Sequence, residues 1–136
     1  MKQAICGCSS LLFLCLAAEA AQAQQSLAGT AWQGTVHAPT ATEVVLQFKR
    51  DTLLMIDVAS REVMEVMLYT QQKQQWTWKK IVGGSPCDNE TPGTYAYQLA
   101  KDQMTINVVN DPCTGRALAI KDQRFQKVTW PAPKKK

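Results

Sequence analysis

Side chains able to do chemistry are few and scattered in this sequence. Its one histidine is His37, and no Ser, His and Asp follow one another in an order that would supply a nucleophile, its base and an orienting carboxylate. Asp57 and Glu65 each interrupt an otherwise apolar segment. Brought together in a cavity they would form an acid–base pair or a polar contact for a ligand; the plainer alternative sets each at a rim facing solvent. Met55, Met64, Met67 and Met104 offer thioethers that, with His37, would suit Cu(I). Met64 and Met67 are three apart, however, and on a strand they face opposite sides, so core packing is the expectation. The sequence therefore predicts no catalytic set, no metal site and no cofactor, and the protein is not expected to be an enzyme.

Aromatic side chains are more suggestive. Trp76 alternates with Trp78, and Tyr95 with Tyr97. Facing inward, such pairs would line an apolar pocket with a few hydroxyls; facing outward, they would make an adhesive surface for a protein. They could also simply fill a core. The tryptophans share their face with Lys80 and the tyrosines theirs with Leu99, so the tyrosine face is the better interior candidate. Tyr95 and Tyr97, with Met67 and Tyr69, are the expected ligand-lining residues.

Cysteine usage gives the compartment. Lys2, an apolar run from Leu11 to Ala18 and Ala21-Gln22-Ala23 have the order of a cleavable secretory signal peptide over residues 1–23. The run is too short to span a bilayer, which takes about 20 residues. A lipid anchor on Cys8 or Cys15 fits poorly, since Cys15 follows Leu14 and Cys8 has only a short run before it. Cleavage removes Cys6, Cys8 and Cys15 and leaves Cys87 and Cys113, a single pair expected to form a disulfide in an oxidising compartment. It also removes one charge of each sign, so the formal net charge stays at +4. Three of those positive charges are Lys134, Lys135 and Lys136, in a tail over residues 131–136. The body is near neutral, which disfavours a nucleic-acid partner. Asn89-Glu90-Thr91 fits an N-glycosylation pattern that matters only in a eukaryotic secretory pathway.

Between leader and tail the chain reads as one domain, residues 24–130, of short strands separated by turn signals. Strands are expected over Thr30–His37, Glu43–Lys49, Thr52–Val58, Val63–Thr70, Trp76–Val82, Thr94–Leu99, Met104–Val109, Ala117–Ile120 and Arg124–Trp130. Thr52–Val58 is apolar on both faces, as in a strand covered on both sides. Gly83 to Gly93 is the main loop. The expected fold class is all-β, a sandwich or closed antiparallel barrel of about eight strands with one disulfide.

Two stretches resemble a known family. Leu27-Ala28-Gly29-Thr30-Ala31-Trp32 is similar to the Gly-x-Trp opening of lipocalins. Pro92-Gly93-Thr94-Tyr95-x-Tyr97, Asp102-x-Met104-Thr105-x-Asn107 and Asp111-Pro112-Cys113-Thr114-Gly115-Arg116 resemble bacterial lipocalin-like (calycin) proteins. The resemblance implies an up-and-down barrel, with Trp32 plugging one end and the guanidinium of Arg116 or Arg124 lying across it. Arg116 has the alternative of pairing with Asp111. It further implies a monomeric periplasmic or secreted bacterial protein, with no stable membrane anchor after cleavage, binding a small apolar or amphipathic molecule inside the barrel. The competing expectation is an exported protein-binding module, an inhibitor or adaptor of an extracytoplasmic enzyme, using the Gly83–Gly93 loop.

Overall fold

The computed structural model describes residues 25–131. The expected signal peptide and the lysine tail lie outside the described residues. The strands are β1 (Ala31–His37), β2 (Ala41–Phe48), β3 (Thr52–Asp57), β4 (Val63–Gln72), β5 (Gln75–Gly83), β6 (Gly93–Ala100), β7 (Gln103–Asn110) and β8 (Arg124–Val128), with one helix, α1 (Thr114–Ile120), between β7 and β8. All eight strands pair antiparallel with their sequence neighbours, and β8 returns to pair with β1, closing the barrel. The all-β fold expected from the alternating pattern is observed, and of the two forms it left open, sandwich or closed barrel, it is the barrel, the up-and-down form that the resemblance implied.

Alternation decides what fills it. Trp32 and Val36 from β1, Val44, Leu46 and Phe48 from β2, Leu53 from β3, Met67 and Tyr69 from β4, Trp76 and Trp78 from β5, Tyr95 and Tyr97 from β6, Met104 and Ile106 from β7 and Phe125 from β8 form one buried cluster. The tryptophan pair and the tyrosine pair both point inward, so the choice between them was unnecessary. Their rings interlock: Trp76 lies 5.4 Å from Phe48, 6.1 Å from Trp78 and 5.3 Å from Tyr97, and Trp78 lies 4.8 Å from Tyr95. A second, outer cluster of Ala31, Val45 and Ile56 is covered by Leu54, Val58, Val128 and Trp130. This explains why Thr52–Val58 is apolar on both faces: the chain after β8 folds back over the outside of the barrel. Arg61 sits 5.4 Å above the Trp130 ring, a cation–π contact.

Two expectations are corrected. Ala117–Ile120 is not a strand but the end of α1. Burial of Ala119 and Ile120 while Leu118 is exposed follows a helical spacing, and Arg, Ala and Leu favour the helix. A short apolar run carries too few periods to separate the two structures. Nor does an arginine lie across Trp32. Arg124 is exposed and Arg116 is at the far end of the barrel; the cation 5.9 Å above the Trp32 ring is Lys127, which register places opposite Trp32 on β8. Trp32 is buried as a plug should be, and its indole N–H donates to Thr30 Oγ1 at 2.7 Å.

Candidate functional site

The two ends of the barrel differ. At one end stand the short turns after β2, β4 and β6 and the leader that enters β1. Leu27 is fully buried there, under the barrel mouth. Gln71 ties the leader down: its Oε1 accepts from Leu27 N at 2.9 Å and its Nε2 donates to Gln25 O at 2.8 Å and to the Tyr97 hydroxyl. The Tyr69 hydroxyl donates to Lys49 O at 2.7 Å. Burial pushes both phenols above their ordinary range, with the Asp51 charge adding to the effect at Tyr69 and the Gln71 hydrogen bond opposing it at Tyr97.

At the other end the loop 84–92 connects β5 to β6, and α1 lies beside it. The Cys87–Cys113 disulfide expected from the cysteine count joins them, with a Cα–Cα distance of 5.7 Å. Under the disulfide is a buried ion pair. Arg116 Nε donates to Asp111 Oδ2 at 2.6 Å and Nη2 to Oδ1 at 2.7 Å, a bidentate fork. Nη2 also donates to Thr91 O at 2.9 Å, so one guanidinium bridges the ion pair and the loop. Asp111 Oδ1 takes a further bond from Cys113 N at 2.9 Å, and Oδ2 accepts the Tyr95 hydroxyl. Burial and then the bond to Asp111 hold the Tyr95 phenol far above its ordinary range. For Arg116, burial alone would lower the pKa, but the bonds and charge of Asp111 prevail and raise it.

The loop is held from three more sides. Glu65 on β4 accepts from Ser85 N at 2.7 Å, and Lys80 on β5 donates to Ser85 O at 2.8 Å. Both side chains are buried, yet each meets the loop backbone rather than the other. Asn89 Nδ2 donates to Ile81 O at 3.0 Å. At the tip, Asp88 accepts from Glu90 N, Thr91 N and the Thr91 hydroxyl at 2.7–2.8 Å, which holds its carboxyl below the usual range. Two glycines make room for this bracing. A Cβ on Gly83 would lie 2.5 Å from Glu65 Cδ, and one on Gly93 2.5 Å from Asp111 Oδ2; at φ +152° Gly83 also adopts a backbone that L-residues rarely take.

The sequence-predicted residues are thus divided. Tyr95, Asp111, Arg116, Cys87 and Cys113 come together at the loop end, while Tyr97 and Tyr69 lie towards the leader end and Met67 between them is packed in the core. Asp57 and Glu65 do not form a pair: Asp57 caps the turn after β3 by accepting Ser60 N at 2.6 Å, and bonds from Ser60 keep its carboxyl below the usual range. Met67 and Met104 are buried in the core and Met55 and Met64 pack against it, away from exposed His37. The sequence marks Lys80 only as sharing the tryptophan face, Thr91 only in the glycosylation pattern and Ser85 not at all. The Gly83-Gly84-Ser85-Pro86 run marks a loop but not what braces it. Searches against protein-family models, curated proteins and solved structures return no match to this chain.

Proposed function

We propose that this chain is an exported protein-binding module that presents the braced loop 84–92 to a partner. The observation that carries the reading is the contrast between a filled interior and a preorganised loop. Trp76 and Tyr95 have 0 % exposure, so neither ring borders a space that would admit even one water molecule. An interior ligand would have to displace side chains that interlock with their neighbours, which weighs against the small-molecule reading despite the lipocalin resemblance. The loop, by contrast, is fixed by the disulfide, the Arg116 bridge, Glu65, Lys80 and Asp88. It can dock without losing much conformational freedom, which is how a rigid segment gains affinity.

Its surroundings support the same reading. Apart from Leu68 in the middle of β4, the large apolar residues left exposed among the described residues are Val63, Ile81, Val82, Val109 and Leu118, Val82 by 64 % and Leu118 by 63 %. Chain order places all five at the loop end, at the start of β4, the end of β5, the end of β7 and on α1. An apolar rim around a polar, rigid tip is a surface suited to a protein. Export is supported by the signal-peptide pattern and by the disulfide.

The test is paired. The purified protein is titrated with an apolar fluorescent probe, and separately immobilised to capture proteins from an extracytoplasmic extract, with Val82→Asp and Glu90→Ala as controls. The expected result is no saturable probe binding, together with a captured protein that is lost from both variants and that protects loop 84–92 from hydrogen exchange. Stoichiometric probe binding with quenching of tryptophan fluorescence would instead return the protein to the small-ligand reading.

A further inference from the structure

At the leader end, an open cleft of about 1110 Å³ crosses the outer face of the barrel between the β4–β5 turn and the β6–β7 hairpin. It owes its shape to strand lengths. Pairing of β5 with β6 stops at Gln75 and Ala96, with one more bond from Tyr97 N to Gln74 O, whereas β6 and β7 remain paired out to Ala100 and Gln103. The longer hairpin overhangs the shorter one, and the step between them is the cleft.

Its lining is dominated by amides. Gln25, Gln72, Gln74, Gln75, Gln98 and Asn107 contribute primary amides, Lys73 is the only charged residue among the described lining residues, and Ala96 is the small apolar residue between them on the outer face, while Tyr97 and Leu99 border the cleft from the inward face of β6. The amides project outward because Trp76, Tyr97 and Ile106 take the inward positions of the same strands. Gln75, Ala96 and Asn107 lie in one cross-strand row. The methyl of Ala96 leaves a notch between two amides set roughly 10 Å apart across three strands. None of these six side-chain amides has an intramolecular hydrogen-bond partner among the described residues, a condition they share with exposed Gln103, Gln126 and Asn110, whereas Gln33, Gln71, Asn89 and Gln123 have their amides engaged; what sets the six apart is that they gather in one cleft.

We infer that this cleft is a binding site for a neutral oligosaccharide. Each amide offers both donors and an acceptor, the combination that pairs with vicinal hydroxyl groups, each of which is itself donor and acceptor. The Ala96 methyl between Gln75 and Asn107 suits the C–H face of a sugar ring. A cationic ligand would need carboxylates, and the lining has none; an anionic one would need more than Lys73. An extended peptide would need side-chain pockets at alternate positions, which an outer surface with the single notch at Ala96 does not provide. The site lies at the opposite end from loop 84–92 and does not depend on what that loop binds.

The experiment is a titration of the isotope-labelled protein with cello-, malto- and chito-hexaose, read by the side-chain amide resonances. Saturable shifts confined to Gln75, Gln98 and Asn107 are expected with at least one sugar. Gln98→Ala and Asn107→Ala should each weaken binding about tenfold, as one or two lost neutral hydrogen bonds would, while leaving the backbone spectrum unchanged elsewhere. Ala96→Phe, which fills the notch, should abolish binding. Absence of shifts with all three sugars overturns the inference, and so does a response to an uncharged hexapeptide in place of the sugars.

Discussion

Arg116 shows how much of the loop end depends on one side chain. Its guanidinium is paired with a carboxylate that has no solvent exposure, and it also reaches the carbonyl of Thr91. Replacing it strands the Asp111 charge in the interior, so Arg116→Ala should lower stability by about 3–5 kcal/mol, measured by urea denaturation. Arg116→Lys should recover only part of this, because a lysine cannot form the fork. Tyr95 makes the same cluster sensitive to alkali. Its phenol keeps its proton in the folded state at a pH where the unfolded chain, with an ordinary value of about 10, has released its own. The unfolded state then binds fewer protons, and stability should fall as the pH rises beyond about 10. In an absorbance titration of the three tyrosines, Tyr95 should ionise last and together with unfolding, and Tyr95→Phe should flatten the alkaline limb. The Asp111–Arg116 pair could be read ahead of the structure, because a Pro-Cys turn between them brings the two ends of a short segment together. Lys80 could not. Its parity with Trp76 and Trp78 is visible, but a lysine in sequence points to an outer face; the long stem instead runs beside the core and delivers its ammonium to Ser85 O at the rim.

Among the elements, α1 and loop 84–92 behave as a unit grafted onto the barrel. Neither adds a strand, and the disulfide, Arg116 and Asp111 tie both to β6 and β7. The cross-link spans 26 residues, for which chain entropy gives about 3.5 kcal/mol. Replacing both cysteines with serine should lower the melting temperature accordingly, with α1 and the loop losing hydrogen-exchange protection well before the strands. Asp88→Ala should leave the melting temperature nearly unchanged and increase the mobility of the tip, because its bonds are local and exposed. The strands were legible because residues such as Val44, Leu46 and Phe48 alternate without interruption. The helix was not, because Ala117–Ile120 offers one turn's worth of pattern and its start, at Thr114, has no capping side chain to announce it.

The molecule as a whole is a barrel packed with its own aromatic rings. Trp76 touches four of them, and its indole N–H has no acceptor among the described residues. Removing that ring should open a cavity: Trp76→Ala should destabilise by about 3–5 kcal/mol, and the folded variant should gain affinity for a small aromatic such as indole, detectable as a rise in melting temperature when indole is added. The all-β class followed from the number and spacing of strands, but closure did not: the same pattern suits a sandwich, and only the β1–β8 pairing decides it. The asymmetry between the ends did not, since it arises from unequal hairpin lengths and from which turns carry the disulfide. Those features appear only once register is known.

The seam between β1 and β8 carries a consequence for timing. Ala31 pairs with Val128 and Gly34 with Phe125, so the first and last strands of the domain meet only after everything between them has been made. Until Phe125 arrives, β1 and β7 keep unsatisfied edges and the aromatic interior has a missing wall. Such a domain resists early folding, since its decisive contacts are the most distant in sequence. Until that last strand is available the barrel cannot close, and the long-range contacts that would lock the chain against forced unfolding are not yet in place.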